Sequence, residues 1–226
     1  MAKKVKGEEL VIPEVKKEKF NVKIVGLSPL LVHQFSAKSQ TQMLEKQMKK
    51  AKTAKEAKNP IADFVYTLHL MNGKDPEDII ETLEEGGAKA GDDVSKYFKD
   101  IPVGFPASGF KKAAVGACRN VADAQMTLTR GAFFILPTNS GSDLVKINYN
   151  KMIIQQNTVR LNGGSTDIRF RAALHDWSAD LSIVSNGNVL SKSQIVNLID
   201  ISGFSVGVGD WRPERNGTNG MFQIAR

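Results

Sequence analysis

Apolar and polar positions alternate with period two over Phe20, Val22 and Ile24, with Asn21 and Lys23 between them, which predicts a strand ending at Gly26 and Ser28-Pro29. From Ala37 to Lys58, Met43, Leu44, Met48 and Ala51 recur at helical spacing among Lys, Gln, Ala and Glu. This predicts a helix with one thin apolar stripe, stopped by Asn59-Pro60. Phe64 to Leu70 is a short apolar segment and Asn72-Gly73 marks a turn. Asp75-Pro76 opens an acidic helix that runs through Glu85 and closes at Gly86-Gly87. Residues 33–104 therefore read as an insertion with short elements of its own.

A further helix is predicted from Phe105-Pro106-Ala107-Ser108, with Ser108 or Ala107 near its N-cap. Phe110, Ala113, Ala114, Ala117, Cys118 and Val121 share one face of it, and Lys111, Lys112 and Arg119, candidate contacts to a polyanion such as nucleic acid, lie on the other. Gly131 to Pro137 reads as an apolar strand. Leu144 to Tyr149, Asp167 to Leu174 and Trp177 to Val184 alternate as strands, and Asn186-Gly187 is a turn. Ser191 caps a last helix through Ile195, Leu198, Ile199 and Ile201, which Gly203 ends, and Met221 to Ile224 reads as a closing strand. Without the excursions at 33–104 and 138–176 the order is βαββαβ. The predicted fold class is α+β, an elaborated ferredoxin-like core of the pattern shared by RNA-recognition (RRM-like) domains, in a single domain over residues 20–226.

Length and composition agree with one elaborated domain: 226 residues, 41% hydrophobic and 24% charged. No apolar run approaches the roughly 18 residues a bilayer span needs, and the lysine-rich start leads into Glu8 and Glu9 rather than an apolar signal core. With Cys118 the only cysteine, a reducing, cytoplasmic compartment is expected, with the thiol a small buried side chain. His33, His69 and His175 are not at metal-ligand spacing, so neither metal nor other cofactor is expected.

Charge changes the picture more. The formal net charge of +7 favours polyanionic partners, and the excess sits at the front, where the first 60 residues hold 14 lysines against 6 glutamates. Residues 1–19 read as a basic flexible arm, which could bind nucleic acid or simply be solvated. The stretch Gly203 to Gly220 holds five glycines between a helix and a strand. Gly207 and Gly209 would let backbone N–H groups approach a phosphate, Arg212 and Arg215 could grip it, and Trp211 could stack a base. The other reading is a long turn closing the last hairpin, with Trp211 as its lid. The helix-to-strand context and the lack of Gly-Lys-Ser/Thr exclude dinucleotide and P-loop fingerprints.

Three segments carry a family resemblance. Ile24 to His33, with Ser28-Pro29-Leu30, looks like the first strand and turn of the RAMP superfamily, the repeat-associated RNA-binding proteins that include backbone and processing subunits of CRISPR effector complexes. Val103 to Ala113 is similar to that superfamily's segment opening the first core helix, and Gly207 to Phe222 resembles its C-terminal glycine-rich loop. The chain also resembles small proteins of tailed bacteriophages.

The resemblance implies a non-catalytic backbone-type subunit that assembles as a homo-oligomer along RNA or single-stranded DNA, with residues 138–176 as a β-hairpin thumb. Lys146, Lys151, Arg160, Arg169 and Arg171 are interleaved there with Tyr149 and Phe170, and Asn162 to Ser165 forms a flexible tip. Arg169 and Arg171 would share a strand face as a phosphate track, or belong to an ordinary polar face. Processing members of the superfamily cleave RNA through a histidine. His33, after the first strand, is therefore a candidate nucleic-acid contact and, in an alternative reading, the acid or base of a metal-independent endoribonuclease. A second alternative is a decoy that mimics a backbone subunit and docks on another complex.

Overall fold

The structure is a computed structural model that describes residues 12–35, 40, 43–45, 47–48, 58–160 and 164–225. In β1 (Lys17–Gly26) Val22 and Ile24 are buried while Lys17, Lys19, Asn21 and Lys23 are exposed, the alternation a half-buried strand requires. The chain turns at Ser28-Pro29 into β2 (Leu30–Val32), then passes to α1 (Pro60–Val65), capped by the Asn59 side chain, and β3 (His69–Leu70). α2 (Pro76–Glu85) follows with Asp75 as its N-cap, Pro76 in its first turn and Gly86 at its end, as the sequence signals predict. β4 (Val103–Pro106) leads directly into α3 (Ala107–Ala117), with Pro106 in the N-cap position and no side-chain cap. α4 (Met126–Ala132), β5 (Phe133–Leu136), β6 (Leu144–Asn148), β7 (Lys151–Arg160), β8 (Thr166–His175), β9 (Ser178–Asn186), α5 (Lys192–Ser205) and β10 (Phe222–Ile224) complete the order.

The core strands lie in the order β10-β1-β9-β5, all antiparallel, with α3 and α5 as the two crossovers, so the chain has the ferredoxin-like βαββαβ arrangement. β1 starts three residues before its first apolar position because β9 faces its whole length, pairing Lys17 with Asn186 and Val25 with Ser178. β6 also pairs with β9, through Ile147–Ala179 and Asn148–Ser178, and carries β4 and then β3, which widens the sheet. The last strand of the segment read as an insertion is thus woven into the main sheet. β7 and β8 form a hairpin in unbroken register from Lys151–His175 to Arg160–Thr166, and β2 adds to β8 as a third strand.

α3 and α5 cover one face of the sheet through Phe110, Ala113, Ala114, Ile195, Leu198 and Ile199. Phe110 and Trp177 meet Phe222 edge-on at 6.2 and 6.0 Å between ring centres, so β10 is held by aromatic contacts as well as by its ladder. Burying each of these rings contributes about 1.5–3 kcal/mol. The Trp177 indole N–H donates to Ser28 O at 2.8 Å, and a side chain at Gly26 would collide with that ring.

Four sequence expectations are corrected. Phe105-Pro106 belongs to a strand rather than to the start of a helix, because β6 pairs with it. Gly131 closes α4 instead of opening a strand. Gly203 does not end the last helix, which continues to Ser205; a Cβ there would lie 1.9 Å from Phe222 O, so the glycine serves helix-to-strand contact. Residues 17–19 of the expected arm are in β1, and just before them Asn188 Nδ2 donates to Glu14 O at 2.7 Å. The rest of that arm through residue 11, and most of the helix predicted from Ala37 to Lys58, lie outside the described residues. Cys118 is buried, 3.3 Å from the Thr129 hydroxyl, and among the described residues no helix is long and apolar enough to cross a membrane.

Candidate nucleic-acid interface

A cleft of about 740 Å³ opens between α3, α4 and the loop that follows α5. Lys111, Lys112, Arg119, Arg130 and Arg212 line it against two carboxylates, Asp210 and Glu214. Lys112 on α3 and Arg130 on α4 are exposed, and among the described residues neither is ion-paired. Arg119 and Arg212 converge on Glu214: Arg212 Nη2 donates at 2.7 Å, the Arg119 guanidinium closes on the other oxygen, and together they hold this carboxyl below its usual range, Arg212 most. Arg212 Nη1 also donates to Gly209 O at 3.1 Å, which fixes its guanidinium along the loop.

His33, after β2, and His69, in β3, face the same cleft. His33 Nδ1 lies 3.9 Å from Asp210 Oδ2, and the same oxygen is 3.3 Å from Arg171 Nη2. Burial lowers the His33 pKa; Asp210 opposes the shift, while Arg171 and Arg169 reinforce it. His69 is lowered too, first by burial, and its ring stands edge-on to Phe105 at 6.3 Å. Both imidazoles are therefore neutral at pH 7, able to donate at one nitrogen and accept at the other.

The predicted residues divide among several places. His33, Lys111, Lys112, Arg119, Gly207, Gly209 and Arg212 meet in the cleft. Lys111 nevertheless spends its ammonium on the fold, donating to Thr129 O at 2.9 Å and Phe133 O at 2.5 Å, 3.5 Å from the centre of the Phe133 ring; burial draws its pKa down to about 8. The Gly207 N–H donates to Ser202 O at 2.8 Å, so it is not available to a phosphate. Gly207 and Gly209 have φ of +68° and +78°, and a Cβ at Gly209 would lie 2.6 Å from Leu31 O, so these glycines let the loop pack closely rather than open an amide cradle.

Trp211, half exposed, and Arg215 line a separate hollow of about 200 Å³ with Asp210. Lys146 and Tyr149 flank another hollow, with Asp93, Lys96 and Lys99, where burial pushes the Tyr149 phenol up to about 12. Lys151 and Arg160 begin and end β7.

The expected phosphate track is corrected. Arg171 is 2% exposed and paired to Asp210, and Arg169 is paired to Asp167 at 3.5 Å, so neither presents a free guanidinium. Phe170 and Phe105 are buried and offer no open stacking face. Sequence reasoning missed Arg130, His69 and Asp210 as cleft residues. Met126 and Arg130, one helical turn apart, were a signal for α4, but the apolar run after Gly131 drew that stretch towards a strand.

No protein-family model matches the sequence, and no curated protein is similar to it. Among solved structures the chain is similar to Cmr6 from Pyrococcus furiosus, at 12% identity and a TM-score of 0.37, over 93% of this chain and 98% of that one. The reading of the site rests on the cleft itself. Among the described residues no three His, Cys, Asp or Glu side chains are grouped as a metal site.

Proposed function

We propose that this protein binds single-stranded nucleic acid, RNA or DNA, without cleaving it, and that the strand lies in the cleft between α3, α4 and the glycine-rich loop. The observation that carries the reading is the convergence of Lys112 and Arg130, two cations without acid partners among the described residues, on a cleft whose two carboxylates, Asp210 and Glu214, are already matched by Arg171, Arg119 and Arg212. Phosphates are met by the two cations, while the half-buried Pro106 and Met126 give the cleft an apolar side against which unpaired bases can lie. The neutral imidazoles of His33 and His69 can hydrogen-bond a 2′-hydroxyl or a base edge, so both RNA and DNA fit.

Fluorescence anisotropy with matched single-stranded RNA, single-stranded DNA and duplex tests this. Binding weakens with salt, and Lys112→Ala with Arg130→Ala flattens the slope of log K against log salt by about 1.4, from about 0.7 per contact on a single strand. An unchanged slope and affinity in that double variant would refute the cleft. Assembly of copies along the strand extends the reading, and light scattering with oligonucleotides of increasing length tests it.

One observation favours a second reading, a metal-independent endoribonuclease: two neutral imidazoles share the cleft, and Asp210 stands beside one of them. Such cleavage needs a general acid and a general base at one 2′-hydroxyl. Cleavage of labelled RNA in EDTA, lost in His33→Ala, would establish it over the non-catalytic reading.

A further inference from the structure

The side of the main sheet turned away from α3 and α5 is a second polar surface. Lys19, Asn21 and Lys23 alternate out of β1 onto it, and the sheet register carries the rows across. Lys19 lies opposite Val184, which lies opposite Phe134; Asn21 lies opposite Ser182, which lies opposite Leu136. Lys23 lies opposite Asp180, and Lys146 sits beside that residue because its neighbour Ile147 pairs with Ala179.

β5 and β6 pair with different halves of β9, and the chain between them leaves a hollow of about 530 Å³, lined by Lys19, Lys146, Asn21, Asn148, Thr138 and Ser182. Among the described residues Asp180 is its one carboxylate. Among the described residues Lys19, Lys23 and Lys146 are exposed and outside any ion pair, and Phe134 at the sheet edge is 58% exposed.

We infer that this open sheet face is a second binding surface for single-stranded nucleic acid, distinct from the cleft. Residues two apart on a strand are separated by roughly 6.6 Å, so the lysines form a spaced series of cations rather than one clustered charge. The amides and hydroxyls between them offer donors and acceptors to sugar and base edges, and Phe134 offers an apolar ring at the rim. The inference does not depend on the cleft reading, since it uses none of the cleft's residues.

Lysine footprinting by acylation and mass spectrometry, on the full chain with and without a long oligothymidylate or oligouridylate, reads the two surfaces separately. Lys19, Lys23 and Lys146 become protected if the sheet face binds, and Lys112 if the cleft binds. Protection of Lys112 alone overturns this inference and leaves the cleft standing; protection of the sheet lysines alone does the reverse; protection of neither removes both. Equal protection by polyglutamate overturns the assignment to nucleic acid. Removing three contacts as Lys19→Ala, Lys23→Ala and Lys146→Ala flattens the salt slope by about 2 and weakens binding at 0.1 M salt by on the order of a hundredfold, from about 0.7 per contact. All three side chains are exposed, so an unchanged thermal midpoint shows the variant is folded, and an unchanged slope then overturns the inference.

Discussion

Asp210→Ala tests how the glycine-rich loop is fixed to the three-stranded sheet. Arg171 on β8 is 2% exposed, and its Nε and Nη1 have no hydrogen-bond partner, so the Asp210 carboxylate 3.3 Å from Nη2 is its counter-charge among the described residues. Removing one partner of a buried pair leaves the other charge stranded, at a typical cost of about 3–5 kcal/mol. The Asp210 side chain is 35% exposed, and water admitted at its place recovers part of this, so the expected loss is about 2–3 kcal/mol. For a chain of this size that lowers the thermal midpoint by roughly 4–12 °C. Arg171→Met removes the stranded charge and keeps an unbranched side chain of similar reach. It should cost less than about 1 kcal/mol, and the double variant should be no less stable than Asp210→Ala alone. Urea denaturation followed by circular dichroism on the four proteins of the cycle measures all three differences. If Arg171→Met is as damaging as Asp210→Ala and the two losses add, the pair is not coupled and the reasoning fails.

Other outcomes follow from the same geometry. Because burial lowers the His33 pKa, the unfolded chain binds more protons than the folded one in the window from about pH 6.5 down to the lowered folded-state pKa. His33 therefore makes stability fall as pH drops through that window towards its folded pKa, with no effect above it. Asp210→Asn removes the group that opposes this shift, so the His33 titration followed by NMR should move lower still, and an upward move would contradict the assignment. Gly203→Ala drives a Cβ towards Phe222 O and should cost about 1–3 kcal/mol by dislodging β10, whereas Gly131→Ala in α4 meets nothing within 4 Å and should add about 0.5–1 kcal/mol. Chemical denaturation of the two variants side by side checks both signs, and equal effects would remove the steric argument.

The core fold was legible because its strands and helices carry their own local signals. Phe20 to Ile24 alternates, Ser191 and Gln194 form a reciprocal cap, and Asp75-Pro76 with Gly86 brackets a helix; none of these needs a distant partner. Where tertiary contacts decide, local reading fails. Phe105-Pro106 has no strand pattern of its own and becomes β4 because β6 arrives beside it, and Gly203 looks like a helix end unless one knows that Phe222 O needs the space.

The site was legible in a different measure, because charge can be counted in a sequence while its accessibility cannot. Arg169 and Arg171 do alternate towards one side, but Asp210, 39 positions further on, claims Arg171, and Asp167 claims Arg169. Lys111 sits among cleft residues yet is spent on two carbonyls and a ring. Among the cations of the described residues that no folded neighbour has taken, Lys112 and Arg130 lie on the helix side and Lys19, Lys23 and Lys146 on the sheet side. A cation already matched by a carboxylate must lose that partner before it can meet a phosphate, whereas an unmatched one gives up only counterions and water, so the unmatched set governs where a polyanion binds.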